Sequence, residues 1–575
     1  MATVPHGLGE ERATVPRVVL PITSRGLVVT DRLCWGLLGA AMAIAATLIL
    51  YLNRGTTFYF DELTFLYQSP RLDAGELLEP HEGHLIIVSR LLIKGGVEAF
   101  GADYLVIRVL GVSAVLLAAG LFYALVKRRI GALPALAPTV VLLFFGSAWS
   151  HVAIPIGLTS ILSIAAGLGA LLALERGHRS GDLAACALLI LSLATYTTGL
   201  PFLVGVAISV LLRPDRRQRA WIFAVPLVLY AAWWLWALSS PASAEAETRP
   251  SNVLLVPAWI ADSLAAVTAA LAGLAYDFTG QTSPGLELGW GRVLAMVAVV
   301  ALALRIRRGN VAPSLWVSLG IVLAFWALTA LSFGPTRTPE TIRYIYLGGI
   351  GVLLVATDAA RGIRFSKLGL AALFGACAIS LAANIALLRD GAAFFRSGSA
   401  QTRAEFTMLD LARDHVGPRF RLASALPRHS FLGDRSAAEY FTVADRYGSP
   451  GFSLPELERQ PEAVRERADQ VLAELLEVRA APSSVGRPSR GCEQIRSTQP
   501  GTLVSELPAG GASLKVEGRA PAEVTLARFA DNPTVEVGTV APGEPTTLTI
   551  PPDGSPTPWR ASIAGAETIA VCPRS

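Results

Sequence analysis

The segment LCWGLLGAAMAIAATLILYLNRGTTFYFDE, residues 33–62, joins a long apolar run to an acidic pair. The run from Leu33 to Leu52 has the length of about 20 residues that an α-helix needs to cross the core of a bilayer. It lies too far from the N-terminus for an ordinary signal peptide, so we expect a retained helix. Asp61 and Glu62 lie just beyond this helix, at the membrane surface. Two adjacent carboxylates are costly there unless they are solvated, paired with a positive charge or used for binding or catalysis.

The same apolar character continues to Leu388. Hydrophobic residues make up 52% of the chain, charged residues make up 16%, and the mean hydropathy is +0.49. Soluble proteins carry about a quarter charged residues. Apolar blocks of about 17–25 residues recur up to Leu388, whereas the chain after Arg389 has the composition of a soluble protein. The sequence therefore predicts a mainly α, polytopic membrane bundle with a soluble C-terminal region.

Basic residues cluster in the short connections between the apolar blocks, which marks the cytoplasmic side. The clusters are 127–129, 176–179, 213–219, 305–308 and 361–367. The charges predict about eleven spans, with the N-terminus cytoplasmic and the C-terminal region extracytoplasmic. The apolar stretch 253–275 is expected to lie outside, on or dipping into the membrane surface, because a span there would reverse every later loop. The net charge of +5 belongs to these connections, so no nucleic-acid partner is indicated.

Composition divides the chain into four parts. Residues 1–32 form a cytoplasmic segment, and 33–389 form the membrane domain with a large outer loop at 53–103. Residues 390–481 form a mostly helical extracytoplasmic region, and 482–575 form a linker and a small β-sandwich. Short alternating runs separated by turn residues indicate the sandwich.

Two cysteines, Cys492 and Cys572, bracket the predicted sandwich. Because disulfides persist outside the cytoplasm, we expect these two to be linked. An outer β-sandwich beside a membrane protein binds sugar or acts as a structural cap, and the sequence leaves both open.

The acidic pair is the first candidate functional feature. A carboxylate of Asp61 or Glu62 at the outer surface suits a general base that takes a proton from an acceptor hydroxyl. The alternative is an acidic loop end that faces water and caps a helix beginning near Leu63.

The second candidate is His81-Glu82-Gly83-His84 in the same loop. Its spacing differs from the HExxH zinc pattern, in which both His lie on one helical turn. We expect His81 and His84 to hydrogen-bond the loop or a substrate. A divalent ion held by these two His with Asp61 and Glu62 is the open alternative, and no other cofactor is indicated.

The third candidate is the outer connection that contains Arg337, Arg343 and Tyr344. Two arginines on the outer side are exceptions to the rule that positive charges gather in cytoplasmic connections. A guanidinium group binds phosphate through a planar fork of hydrogen-bond donors. We therefore expect a lipid-phosphate contact here, with an ion pair to Glu340 or contacts to lipid head groups as the alternative. His151, at the outer start of a span, is a further binding candidate.

The order of these features resembles the membrane glycosyltransferases of the GT-C fold. One span is followed by a large outer loop with an acidic motif, then by a His and an interfacial helix. The residues that carry the resemblance are Asp61 beside Glu62, His84, Phe100-Gly101, Arg108 and Arg343-Tyr344. The closest groups are the polyprenyl-phosphate-sugar-dependent enzymes related to protein mannosyltransferases, and actinobacterial membrane proteins with a Pro-His-x-x-His loop. The stretch 149–153 departs from the pattern, because many relatives carry Arg-x-Tyr there.

The resemblance implies a multi-pass protein of the plasma membrane that moves a sugar from a polyprenyl-phosphate donor to a cell-envelope glycan or protein. Asp61 would take the proton of the acceptor in a single inverting displacement, while Arg343 and Arg337 would hold the lipid phosphate. Two alternatives stay open. One is a lipid or glycan transporter, although such proteins place ionisable groups near mid-membrane. The other is a non-catalytic, glycan-binding scaffold of the same fold.

Overall fold

The computed structural model describes residues 30–58, 61–240, 250–275, 286–309, 311–334, 337–421, 436–482, 492–496, 502–508, 510–517 and 520–573, and the backbone of the paired strands β1 Val19–Leu20 and β2 Leu27–Val28. The chain divides into two compact units. The first contains Met1–Asn53, Asp73–Leu91 and Arg108–Ala393, and the second contains Arg54–Leu72, Leu92–Ile107 and Phe394–Ser575.

The chain is mainly helical. The helices are α1 Asp31–Leu52, α2 Asp61–Gln68, α3 Ala74–Leu78, α4 Ile87–Phe100, α5 Tyr104–Ile130, α6 Ala132–Leu143, α7 Trp149–Val152, α8 Leu158–Leu174, α9 Arg179–Thr195, α10 Gly199–Leu211, α11 Arg216–Arg219, α12 Trp221–Ala237, α13 Val256–Ala272, α14 Leu288–Arg307, α15 Pro313–Leu331, α16 Ile342–Ala359, α17 Lys367–Leu411, α18 Ala437–Tyr447, α19 Leu454–Leu457 and α20 Glu462–Leu475. Short 3-10 helices lie at Gly146–Ala148, Pro155–Gly157, Pro250–Leu255 and Arg413–His415.

Nine helices of the described residues are long and apolar enough to cross a membrane, or ten if α6 and the segment Gly146–Val152, bent by 42°, form one span. The predicted polytopic helical bundle with a β-rich C-terminal region is thus confirmed. The nine leave out α6, α9 and α10, which were expected to span and have 12, 17 and 13 residues. They include the segment Ser251–Ala272, which was expected to lie at the membrane surface. Three expected spans are thus lost from the eleven and one is gained.

Helix α13 packs against α14, α15 and α16 in the first unit. The ring of Trp259 near its start lies 6.2 Å from that of Tyr344. A Cβ placed on Gly349 would lie 3.8 Å from the side chain of Leu271 near its end. Helix α13 has 17 residues and is about 25 Å long. It belongs to one of the nine segments that are long and apolar enough to span, so the expected position of 253–275 at the membrane surface stays a prediction.

The bend between α6 and α8 is fixed by close packing. The N–H of Ser147 donates to Oδ1 of Asn384 over 2.9 Å, and Nδ2 of Asn384 donates to the carbonyl of Ala270 over 3.2 Å. A Cβ on Gly157 would lie 2.5 Å from the carbonyl oxygen of His151, so a larger residue has no room there. The backbone that carries His151 is therefore held in one position.

One end of the α15–α16 helix pair encloses a buried ion pair. Arg129, at the end of α5, donates from Nη1 to Oδ2 of Asp358 over 2.7 Å, and the two side chains are 4% and 0% exposed. Ser314 and Ser318 of α15 donate to the two oxygens of Asp358, each over 2.6 Å. This network neutralises the charge that α5 brings into the bundle.

The second unit contains two antiparallel sheets. Their strands are β3 Arg479–Pro482, β4 Glu493–Arg496, β5 Thr502–Glu506, β6 Gly511–Glu517, β7 Ala522–Ala527, β8 Val535–Val540, β9 Pro545–Thr549, β10 Arg560–Ala564 and β11 Thr568–Pro573. The strand orders are β5-β10-β7-β8 and β3-β9-β6-β11-β4. Buried and exposed residues alternate along β5, which is typical of a strand with one face in a core. A disulfide joins Cys492 to Cys572.

The sheets are tied to the helical part of the same unit by Asp469 of α20. Its fully buried carboxylate accepts the backbone N–H groups of Arg528, Phe529 and Ala530 over 2.8, 2.9 and 3.0 Å. Three such bonds satisfy a carboxylate that would otherwise be costly to bury.

The first outer loop also contributes to the second unit, where it packs on α18. The N–H of Ala102 donates to the carbonyl of Tyr447 over 2.8 Å. Gly101 has φ +71°, and a Cβ there would lie 2.6 Å from the same carbonyl oxygen. The hydroxyl of Tyr447 and the guanidinium of Arg446 both reach Glu98, and the bond from Tyr447 holds the pKa of Glu98 below its usual range. Gly101 is therefore required by this close approach.

Candidate functional site

The basic candidates of the first unit gather around Tyr344. Helix α16 begins with Ile342, and Arg343 places its guanidinium carbon 5.8 Å from the centre of the Tyr344 ring. The charges of Arg343, Arg337 and Glu82 all act on the Tyr344 phenol. Arg337 follows a turn in which its N–H donates to the carbonyl of Gly334 over 3.0 Å. The structure thus shows a contact between Arg343 and Tyr344, and it places Arg337 and Glu82 within the range of charge interaction with the Tyr344 phenol.

Neither arginine of this cluster has a carboxylate partner within the described part of the chain. Arg337 and Arg343 form no ion pair there, and Glu340 forms none with them. The side chain of Arg343 is exposed, and that of Arg337 is half-buried. The ion pair with Glu340 that the sequence left open is therefore not formed, and both guanidinium groups present donors to an outside anion.

His151 joins this cluster from the bend between α6 and α8. Its ring lies parallel to the ring of Tyr346, at 6.2 Å and an interplanar angle of 3°. The positive charge of Arg343 acts on the His151 ring. The stretch that lacks the Arg-x-Tyr motif thus places a histidine beside the arginine and tyrosines of α16.

The two histidines of the outer loop form a tight hairpin turn. His81 and His84 exchange backbone hydrogen bonds of 3.0 and 2.8 Å. The two residues between them, Glu82 and Gly83, have φ +47° and +78°. Glycine adopts this left-handed conformation freely, but for another residue it costs roughly 1–2 kcal/mol. Glu82 is exposed, and the turn holds it in a strained position.

The turn is held in place by neighbouring helices of the first unit. His84 Nδ1 lies 2.9 Å from Oγ1 of Thr197, and its ring lies 4.3 Å from that of Tyr196. Trp233 donates from Nε1 to the carbonyl of Leu78 over 2.8 Å. His84 therefore hydrogen-bonds within the protein, in line with the loop-holding role considered from the sequence.

A metal site is not assembled within the described residues. They contain no group of three or more His, Cys, Asp or Glu side chains placed to hold an ion. Asp61, Glu62, His81 and His84, the four residues considered for a divalent ion, thus do not form such a group within the described part of the chain.

The acidic pair lies in the second unit, in the first turn of α2, where the helix dipole stabilises negative charge. Glu62 is fully buried and accepts a hydrogen bond of 2.6 Å from the hydroxyl of Tyr104. The Tyr104 ring packs at 5.0 Å from that of Phe58. Asp61 is half-buried and retains access to solvent. The two neighbours are therefore different groups: Glu62 belongs to the packing, and Asp61 is the accessible carboxylate.

Two other residues of the family resemblance have structural contacts. Arg108 donates from Nη1 to the carbonyl of Asn53 over 2.8 Å, at the C-terminal end of α1. It also lines a pocket with Gly111, Val152 and Pro155. Gly101 is fixed by the approach to Tyr447. These contacts account for Gly101, and in part for Arg108, without a catalytic role.

Sequence reasoning named Glu82 only as part of the loop from His81 to His84, and it did not consider Tyr346, which stacks on His151. The signal for Glu82 was a non-glycine residue in a two-residue turn between the paired histidines. The signal for Tyr346 was its spacing of three residues from Arg343, which places both on one face of a helix.

No protein-family model matches the sequence, and no curated protein sequence matches it significantly. Among solved structures, the chain is similar to ArnT from Cupriavidus metallidurans bound to undecaprenyl phosphate, with TM-score 0.45 and 14% identity over 71% of this chain and 88% of that chain. The apo state of the same protein gives TM-score 0.40 and 12% identity over 72% and 89%. Arabinosyltransferase EmbB from Mycobacterium smegmatis gives TM-score 0.33 and 14% identity over 98% and 66%.

Proposed function

We propose that the protein is a membrane glycosyltransferase that moves a sugar from a polyprenyl-phosphate donor to an extracytoplasmic acceptor. The observation that carries this proposal is the pair Arg337 and Arg343 beside Tyr344, without a carboxylate partner in the described residues. An arginine at the end of an apolar bundle is stabilised by an anion, and its planar fork matches phosphate. A phosphate carried by a lipid in the outer leaflet would reach this position.

The proposed reaction is a single displacement. The oxygen of an acceptor hydroxyl attacks the anomeric carbon, while the bond from that carbon to the phosphate oxygen breaks. The electron pair leaves with the lipid phosphate, whose charge Arg343 and Arg337 stabilise. Asp61 takes the proton of the hydroxyl, because it is accessible whereas Glu62 is buried and bonded to Tyr104. Attack opposite the leaving group inverts the anomeric configuration.

The acceptor belongs to the cell envelope in this proposal, as a glycan or a protein. The multi-pass chain would lie in the plasma membrane with its N-terminus cytoplasmic and its C-terminal region outside. The basic connections between spans support this orientation.

The test is transfer by purified protein in nanodiscs, with a polyprenyl-phosphate sugar as donor. Asp61→Asn should lower the rate by about 10²–10⁴-fold, the contribution of a general base, and should leave the unfolding temperature unchanged. Glu62→Gln is the matched control, because it makes the same change at the neighbouring carboxylate. Since that carboxylate is buried, its loss should lower the unfolding temperature. Transfer at the wild-type rate by Asp61→Asn would refute the proposed chemistry and favour a non-catalytic scaffold.

A further inference from the structure

The ends of α14 and α16 lie against each other and carry exposed arginines. Nε of Arg305 donates to the carbonyl of Ala359 over 3.0 Å, which joins the last turns of the two helices. Four arginines follow this contact at or just beyond the helix ends: Arg307, Arg308, Arg361 and Arg364. We call these four residues the basic tip. Unlike Arg129, which is buried in the bundle, all four are exposed.

The described residues give the basic tip no carboxylate partner. None of its arginines forms an ion pair or a side-chain hydrogen bond there. From Leu288 to Arg389 the sequence has two acids, Glu340 and Asp358. Glu340 lies at the other end of α16, and Asp358 is buried and already paired with Arg129. The described part of the chain therefore leaves the positive charge of the basic tip unbalanced.

Other basic connections on the same predicted side of the membrane contain ion pairs. These pairs are Lys127–Asp31, Arg128–Glu175 and Arg219–Asp182. In those connections the protein itself neutralises part of the positive charge. The basic tip instead holds four like charges close together, and such charges repel one another unless an anion lies among them. The excess of positive charge at the basic tip therefore favours a bound anion.

Exposed apolar side chains border the basic tip. Leu304 lies in the last turn of α14, Ile363 in the connection after α16, and Leu368 in the first turn of α17. They are 48%, 57% and 80% exposed. A ligand that matches both kinds of residue has an anionic headgroup and apolar chains. A guanidinium group donates to phosphate through its planar fork, and clusters of about four to eight Lys or Arg beside a span attract anionic lipids.

We propose that the basic tip binds the headgroup of an anionic phospholipid of the cytoplasmic leaflet. The phosphate oxygens accept hydrogen bonds from the guanidinium groups, and Leu304, Ile363 and Leu368 contact the acyl chains. The leaflet follows from the basic connections, which are expected on the cytoplasmic side. The bound lipid relieves the repulsion among the arginines and so stabilises the packing of α14 on α16. The site lies at the opposite end of α16 from Arg343, and it does not depend on the proposed sugar transfer.

The test measures the affinity of the full-length protein in detergent for phosphatidylglycerol, by native mass spectrometry, with zwitterionic phosphatidylcholine as the comparison. The tip variant carries Arg307→Gln, Arg361→Gln and Arg364→Gln together. It should bind phosphatidylglycerol about 100-fold more weakly than the wild type, since each basic group near the membrane contributes about a factor of five. Binding of phosphatidylcholine should be weak in both proteins. Equal affinity of the wild type for the two lipids would overturn the proposal.

The matched control removes the same number of positive charges outside the basic tip. Its substitutions are Arg176→Gln, Arg179→Gln and Arg217→Gln, at exposed arginines of other connections on the same predicted side. This variant should keep the affinity for phosphatidylglycerol within about twofold of the wild type, because screening weakens the interaction of exposed charges with distance. Equal weakening in the control and in the tip variant would show a diffuse attraction to the whole basic side and would overturn the site.

Thermal unfolding separates a lipid from a free phosphate ion. A ligand that binds only the folded protein raises its unfolding temperature. Phosphatidylglycerol should raise the unfolding temperature of the wild type but not that of the tip variant. Inorganic phosphate at the same concentration should have no effect, because it lacks the chains that contact the apolar residues. An equal rise with both ligands would assign the basic tip to a free anion and overturn the lipid site.

One further variant keeps this site distinct from the proposed donor site. Arg343→Gln should leave the affinity for phosphatidylglycerol unchanged. If it weakened this affinity as much as the tip variant does, the lipid would lie at the donor site and the proposal would be wrong. A wild-type protein that binds phosphatidylglycerol at the basic tip but transfers no sugar would refute the proposed function alone.

Discussion

The two ends of the α15–α16 helix pair differ in whether their arginines have a carboxylate partner. At one end, which we call the closed end, Arg129 meets Asp358, and Ser318 adds a hydroxyl to the same carboxylate. At the other, the open end, Arg337 and Arg343 meet no carboxylate in the described residues.

This difference separates architecture from binding. A charge inside a bundle needs a partner, because desolvation costs several kcal/mol per ion. At the closed end the protein supplies the partner, and the arginine fixes α5 against α15 and α16. At the open end the described residues supply no such partner, so the charges are available to a ligand. An arginine between spans therefore indicates function only when its own protein leaves it unpaired.

The largest expected effect tests the closed end. Asp358→Asn removes one member of a buried pair, which should lower the free energy of unfolding by about 3–5 kcal/mol. Denaturant unfolding in detergent measures this change. Asp31→Asn is the control, because the exposed pair of Asp31 and Lys127 should contribute only about 0–1 kcal/mol. Equal stability of the two variants would show that the closed end does not depend on this pair.

The next effect tests the open end. Arg343→Gln and Arg337→Gln should each lower kcat/KM for sugar transfer by about 100-fold, since each removes a cation that stabilises the leaving phosphate. Their free energy of unfolding should stay within about 0.5 kcal/mol of the wild type. Arg343→Lys keeps the positive charge but loses the planar fork of donors. Its kcat/KM should therefore lie between the values for the wild type and for Arg343→Gln. If Arg343→Gln lowers the free energy of unfolding as much as Asp358→Asn does, the arginines of both ends are structural, and the contrast between the two ends is wrong.

A smaller effect sharpens the closed end further. Ser318→Ala removes one hydroxyl from the Asp358 carboxylate and should lower the free energy of unfolding by about 1.5 kcal/mol, the value for a hydrogen bond to a charged group. Thermal unfolding measures it, and transfer per folded molecule should not change. A large loss of transfer at unchanged stability would assign the closed end a direct part in the reaction.

The smallest effect concerns the strained acid near the open end. Glu82 and Glu477 are the two non-glycine residues with positive φ in the described chain, at +47° and +49°. Replacement of either by Gly should raise the free energy of unfolding by about 0.5–1 kcal/mol. Only Glu82→Gly should also tighten the binding of undecaprenyl phosphate, by about twofold, because it removes a negative charge near the arginines. Weaker binding in Glu82→Gly would mean that Glu82 contacts the ligand favourably.

Much of the fold follows from local sequence. The apolar blocks and their basic ends predict helices such as α5, whose last turn carries Lys127-Arg128-Arg129. Alternating residues predict the strands of the C-terminal region. The lengths of α9 and α10 do not follow, because hydropathy reports which residues are apolar and not where a helix begins and ends.

The site divides in the same way. Arg337, Arg343 and Tyr344 lie together because they are neighbours in the sequence. The position of His151 depends on the bend between α6 and α8, about two hundred residues before Arg343, and on contacts with Asn384 that hold this bend. No periodicity in a single segment reports such a contact. The separation of Asp61 from Glu62 likewise depends on Tyr104, which packs beside Phe58 only in the folded chain.

The approach of Gly101 to Tyr447 has a consequence for biogenesis. The loop segments that belong to the second unit leave the ribosome long before α18 exists, and at about 5–20 residues per second the interval between Gly101 and Tyr447 is roughly 20–70 s. During this time the nascent loop that carries Asp61 lacks its docking surface on α18, while most of the helices are still being inserted. The contacts of this loop with α18 therefore form only after the C-terminal region has been synthesised.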